Sequence, residues 1–138
     1  MIANYWREER FYHHTAPISM IFSLHEALRL LLEEGLENSF TRHAKNGLHL
    51  QSELEAMGMK LFAKEGYRLP QLTSVLIPEP HHEASLRTQL LQEYGIEVGG
   101  GLGHLKGKAW RIGLMGHSSS LGNVTLLIQA IKNLTNQH

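Results

Sequence analysis

Cysteine is absent from this chain of 138 residues. That excludes a disulfide-stapled scaffold, a thiolate metal site and a cysteine nucleophile. Net charge is absent as well, with 13 basic side chains against 13 acidic ones. The total therefore carries no electrostatic footprint for nucleic acid or for an anionic membrane surface. No apolar run approaches the roughly 20 residues that span a bilayer. Residues Met1 to Arg10 hold no basic region followed by an apolar core, so no secretory signal is expected there. Asn136-Gln137-His138 is not a peroxisomal Ser-Lys-Leu address. The expectation is a cytoplasmic protein that engages neither membrane nor nucleic acid. Internal repeats and low-complexity tracts are also missing.

The apolar content of 42% suits a folded chain rather than a disordered one. A chain of this length buries roughly 68% of its unfolded surface, enough for one core. Ten histidines make the chain cationic as pH falls through about 6.5.

Residues 1–17 lack an amphipathic period and carry Tyr5, Trp6, Phe11 and Tyr12, so they read as extended. Pro17 suits the first turn of a helix, where its missing N–H costs nothing. Ile18, Ile21, Phe22, Leu24, Leu28, Leu31 and Leu32 then form a helical stripe up to Gly35, a C-terminal stop and domain boundary. A second stripe, Leu36, Phe40, Ala44, Gly47, Leu50, Leu54 and Met57, predicts a long helix ending at Gly58. Beyond it the pattern predicts short strands at 59–63 and 72–77, and a helix over 83–94 with Leu86, Leu90, Leu91 and Tyr94 on one side. Strands at 96–98 and 110–114 follow, separated by a glycine loop at 99–103. A last helix has Val124, Leu127, Ile128, Ile131 and Leu134 inward, with Ser118 to Ser120 offering N-caps. Helices with four short strands fit an α+β fold, a mostly antiparallel four-stranded sheet covered by helices on one face. The expected units are residues 1–35 and 36–138.

Most motifs that suggest chemistry fail on inspection. Gly99-x-Gly101-x-x-His104 lacks the third glycine of a dinucleotide loop, and no helix opens after it. His25-Glu26 begins like a zinc-protease helix, yet the second ligand position holds Arg29. His13-His14 and His81-His82 are adjacent pairs, whose side chains point apart on a strand, so no metal site is expected. Ser118-Ser119-Ser120 beside His117 is explained by helix capping. Arg111 is different. It sits within Trp110-Arg111-Ile112-Gly113-Leu114, where an arginine is costly unless paired, and a guanidinium grips a carboxylate through two hydrogen bonds. The plain alternative is an edge-strand arginine paired with a surface acid. The segment Phe11 to Pro17 is dense in hydrogen-bonding groups ahead of a helix. It suits a phosphate or, more simply, an extended entry capped by Thr15.

Several segments together resemble a known family: Tyr12-His13-His14-Thr15-Ala16-Pro17, Glu34-Gly35-Leu36-Glu37-Asn38, Tyr67-Arg68-Leu69-Pro70, Ile96 through Gly103, and Arg111-Ile112-Gly113-Leu114-Met115-Gly116. Their combination is similar to the C-terminal part of the alanine–glyoxylate aminotransferases, within the class V pyridoxal-phosphate aminotransferases. The likeness runs over essentially the whole chain. It implies a fold-type I homodimer in which Tyr12 and Thr15 reach the phosphate of the cofactor in the neighbouring subunit. Arg111 would grip the carboxylate of amino acid and 2-oxo acid substrates. Residues 1–35 would be the tail of the large cofactor-binding domain, and 36–138 the small C-terminal domain. In the family the Schiff-base lysine, the acid facing the pyridine nitrogen and the aromatic stacked on the ring lie in the larger N-terminal part. None of Lys45, Lys60, Lys64, Lys106, Lys108 and Lys132 stands in the family's lysine motif. The resemblance therefore implies that the full-length enzyme uses pyridoxal 5'-phosphate. The 138-residue chain alone is expected to hold no catalytic lysine, to bind no cofactor and to be catalytically incomplete. A non-catalytic α+β assembly or small-ligand-binding module is the alternative.

Overall fold

A computed structural model describes residues 8–9, 14–78 and 83–135. The chain divides into two compact units, residues 1–36 and 37–138. The first contains helix α1, Ile18–Glu34. Pro17 occupies its N-cap position and brings no side-chain cap. The cap position expected of Thr15 is taken by Pro17, whose fixed φ suits the turn. Gly35 ends the helix at φ +84°, its N–H donating to Leu31 O at 2.9 Å. Only a residue without a Cβ turns this way at no steric cost. No residue of α1 is buried, and Met20, Phe22 and Leu32 are each more than 70% exposed. On its surface Arg29 bonds Glu26 and Glu33, and its hydrogen bond holds the Glu26 carboxyl below the usual range.

The second unit carries helix α2 (Leu36–Ala56, its first residue at the junction), strands β1 (Lys60–Leu61) and β2 (Leu72–Leu76), helix α3 (Glu83–Tyr94), strands β3 (Gly99–Gly100) and β4 (Ala109–Gly113), and helix α4 (Leu121–Thr135). The strands form one sheet in the order β1-β2-β4-β3, every neighbouring pair antiparallel. This is the expected α+β architecture. Strand alternation sorts the side chains. Thr73 and Val75 of β2 stand opposite Ile112 and Trp110 of β4 on one face, and Leu72, Ser74 and Leu76 stand opposite Gly113, Arg111 and Ala109 on the other. The first face joins Leu50 and Leu54 of α2, Leu86 and Leu90 of α3, and Val124, Leu127, Ile128 and Ile131 of α4 in one core. Trp110 is fully buried there, its ring N–H directed at Glu83 O at 3.4 Å.

Three local expectations need correction. On α2 the inward residues are Ser39, Asn46, Gly47, Leu50, Gln51 and Leu54, whereas Leu36 and Phe40 are exposed. The first half of that face meets the backbone of the turn at 116–119, and backbone polar groups need polar partners. Arg42 donates to Gly116 O at 2.9 Å and Ser119 O at 2.7 Å, and Asn46 donates to Ser119 O at 3.0 Å. His43 Nδ1–H donates to Ser39 O at 2.7 Å, which leaves Nε2 to accept the Gly116 N–H at 3.0 Å. Farther along, α2 passes so close to the loop before β2 that a Cβ on Gly47 would lie 2.5 Å from Pro70 O. On α3, Leu86 and Leu90 are buried but Leu91 is half exposed. The third correction concerns the strand expected at 96–98, which lies instead at Gly99–Gly100. Ser120 is the cap of α4, its hydroxyl accepting the Asn123 N–H at 3.1 Å.

Candidate carboxylate-binding site

Arg111 lies on β4, an inner strand with β2 and β3 on either side. It is not the edge-strand arginine of the plain alternative. Its side chain is on the face of the sheet away from the helical core, between Ser74 of β2 and Gly99 of β3 in register. Nε donates to Gly100 O at 2.8 Å. Among the described residues this is its one side-chain hydrogen bond, and no acid pairs with it. One of the five N–H donors is therefore used to fix the plane of the guanidinium. The Nη1–Nη2 end keeps the forked geometry that suits a carboxylate.

The glycines at 99 and 100 create this arrangement. A Cβ on Gly99 would stand 3.3 Å from Arg111 Nη2, and one on Gly100 would meet Glu83 Oε1 at 3.4 Å and the Arg87 guanidinium at 3.5 Å. One glycine makes room for a guanidinium on the open face. The next lies against the Glu83–Arg87 pair, 2.8 Å across, in which Glu83 is buried and Arg87 is partly exposed. The two residues that resembled loop in sequence are strand because they pair in register with Arg111 and Trp110 of β4.

Immediately around Arg111 the open face is small or apolar, with Lys60 of β1 farther out, opposite Leu76. On β2 it presents Leu72, Ser74 and Leu76, on β4 Ala109 and Gly113, and on β3 Gly99. Phe62 extends it, its N–H donating to Ser74 O at 2.8 Å and its ring 6.3 Å from that of His104. Of the other expected site residues, Thr15 is exposed, two positions before the proline that starts α1, and Tyr12 lies outside the described residues.

No family model matches the chain. Individual proteins do. It is 41% identical over 135 residues to the alanine–glyoxylate aminotransferase of Callithrix jacchus, covering 95% of this chain and 33% of that protein. The crystal structure of an alanine–glyoxylate aminotransferase from Nostoc sp. superposes with a TM-score of 0.89 at 48% identity, over 97% of this chain and 36% of that one. The chain matches the C-terminal part of the class V aminotransferases. The ureidoglycine–glyoxylate aminotransferase of Bacillus subtilis gives a TM-score of 0.91 at 39% identity, over 99% of this chain and 35% of that one. The chain thus spans about a third of the length of the relatives it matches. The superposed parts of these aminotransferases include the α+β sheet described above.

Ser74, and the strand position of Gly99 and Gly100 beside Arg111, escape sequence reasoning. The detectable signal is the alternation Leu72-x-Ser74-x-Leu76, a polar residue in an otherwise apolar row. Its significance depends on which residue of β4 stands opposite, and that is a matter of register.

Proposed function

We propose that this chain is the C-terminal portion of an aminotransferase that moves an amino group from alanine, or serine, to glyoxylate, with Arg111 holding the substrate carboxylate. The observation that carries the reading is Arg111 itself. It is a half-buried guanidinium on an inner strand, with its Nε fixed to Gly100 O, no acid for a partner among the described residues, and a small, apolar surround. A buried cation is expensive unless an anion compensates it. Here the anion is the substrate.

Pyridoxal phosphate, when bound, supplies the electron sink that transamination requires. The part of this chain that suits it is the start of α1. Thr15 is exposed two residues before Pro17, at the N-terminal end of a helix, where a phosphate is electrostatically favoured. Thr15 and Tyr12 would hold the phosphate of the neighbouring subunit in a homodimer. The covalent anchor for the cofactor would come from the large domain, since a phosphate clasp and a carboxylate clamp position reactants without supplying the chemistry. The unburied apolar stripe of α1 supports placing residues 1–35 at the end of that larger domain. Cytoplasmic residence is part of the proposal. No helix among the described residues is long and apolar enough to cross a membrane.

The test is Arg111→Ala in the full-length enzyme, assayed with alanine and glyoxylate. Loss of two charge-assisted hydrogen bonds predicts a fall in kcat/KM of about 10²- to 10³-fold. Catalytic efficiency near wild type would refute the clamp.

A further inference from the structure

We propose that Ser74 is a second carboxylate-binding group, its hydroxyl donating to the same substrate carboxylate that Arg111 holds. The inference rests on the clamp reading of Arg111 and deepens it.

Three observations lead to it. Ser74 and Arg111 are directly opposed on adjacent strands and on the same face, a relation that brings Cβ atoms to about 5 Å. The guanidinium is drawn the other way, toward β3, by the Nε bond to Gly100 O, with Nη2 lying over Gly99. The space above Ser74 is thus left to whatever the guanidinium binds. Finally, Ser74 and Arg111 are the two polar residues of that face on β2, β4 and β3, among Leu72, Leu76, Ala109, Gly113 and Gly99. The Ser74 hydroxyl has no hydrogen-bond partner among the described residues.

The chemistry of the ligand completes the argument. A carboxylate offers about four lone-pair sites, and the Nη1–Nη2 end of Arg111 satisfies two. A hydroxyl donor at the adjacent strand position meets a third. It also gives the site a handedness that a guanidinium alone lacks, with a forked cation on one side of the carboxylate and a single donor on the other. The ligand class is a small α-amino acid or 2-oxo acid, because Leu72, Leu76 and Phe62 flank the pair, while the cation of that face on β1, Lys60, stands one strand farther out opposite Leu76. Sites of this kind are lined mainly by apolar residues with a few convergent polar groups.

The experiment compares Ser74→Ala, Ser74→Val and Ser74→Thr with Arg111→Ala in the full-length holoenzyme, by steady-state kinetics with alanine and glyoxylate. One hydrogen bond to a charged group predicts a rise in KM of about 10- to 150-fold in Ser74→Ala and Ser74→Val, with kcat within about twofold. Ser74→Thr keeps the hydroxyl and is expected to stay near wild type. The valine and threonine variants have the same shape, so a KM difference between them isolates the hydroxyl from packing even where one variant is less stable. Unchanged KM in both Ser74→Ala and Ser74→Val, with Arg111→Ala severely impaired, overturns the role of Ser74 and leaves the clamp standing. Normal KM and kcat in Arg111→Ala removes the clamp and this inference with it.

Discussion

Arg111 is held in place from the side and left free at its end. Its Nε–H meets Gly100 O, the glycine at 99 gives the terminal nitrogens room, and no carboxylate among the described residues neutralises it. Because the side chain makes a single internal hydrogen bond and lies on the open face, its removal should hardly disturb the core. Arg111→Ala is expected to change unfolding free energy by no more than about 1 kcal/mol. Measured by urea denaturation beside the kinetics, that result assigns the activity loss to binding rather than to misfolding. This residue was legible in the sequence because a charge inside a run of Trp, Ile, Gly and Leu violates the usual sorting of side chains. Ser74 was not. A serine in a strand is unremarkable until register sets it against an arginine.

At the scale of elements, hydrophobic period located the helices well and their faces less well. The inward rows of α4 follow the apolar stripe, and all five residues expected inward there are buried. The N-terminal half of α2 departs from its stripe because that face serves the turn at 116–119. Arg42, His43 and Asn46 bond backbone groups of the short 3-10 helix Gly116–Ser118 and of Ser119 just after it. Helical period measures apolar burial alone and is blind to a polar interface of this kind. The same helix is pressed against Pro70 at Gly47, where an added methyl would overlap backbone atoms at 2.5 Å and 2.6 Å. Backbone yields less readily than a side chain, so Gly47→Ala should destabilise by about 1–3 kcal/mol despite the better helix propensity of alanine. Thermal unfolding of the variant checks this. A gain in stability would show that the helix and the Pro70 loop separate easily.

For the whole molecule, the two units differ in what they bury. Residues 37–138 contain the core cluster, and α1 contributes no buried residue. A chain restricted to residues 37–138 should therefore unfold cooperatively, with a midpoint within a few degrees of that of the 138-residue chain. A lost transition would show that α1 supports the core. Catalysis is expected to need more than this chain. Mixing it with pyridoxal phosphate should give no stable visible absorption band that responds to alanine. Such a band would mean that these 138 residues supply the covalent anchor themselves.

The sequence by itself determined the order and type of the elements, the sheet-and-helix class and the arginine around which a site is built. All of these follow from local periodicity and from single residues that break it. Tertiary structure decided what local pattern cannot encode. It placed β4 inside the sheet rather than at its edge, set Ser74 and Gly99 on either side of Arg111, drew two glycines into a strand, and turned a polar face of α2 onto a loop. The physical reason is common to them all. Each depends on which residues from distant parts of the chain share a face or compete for the same volume, and strand register and close packing settle that only when the chain is folded.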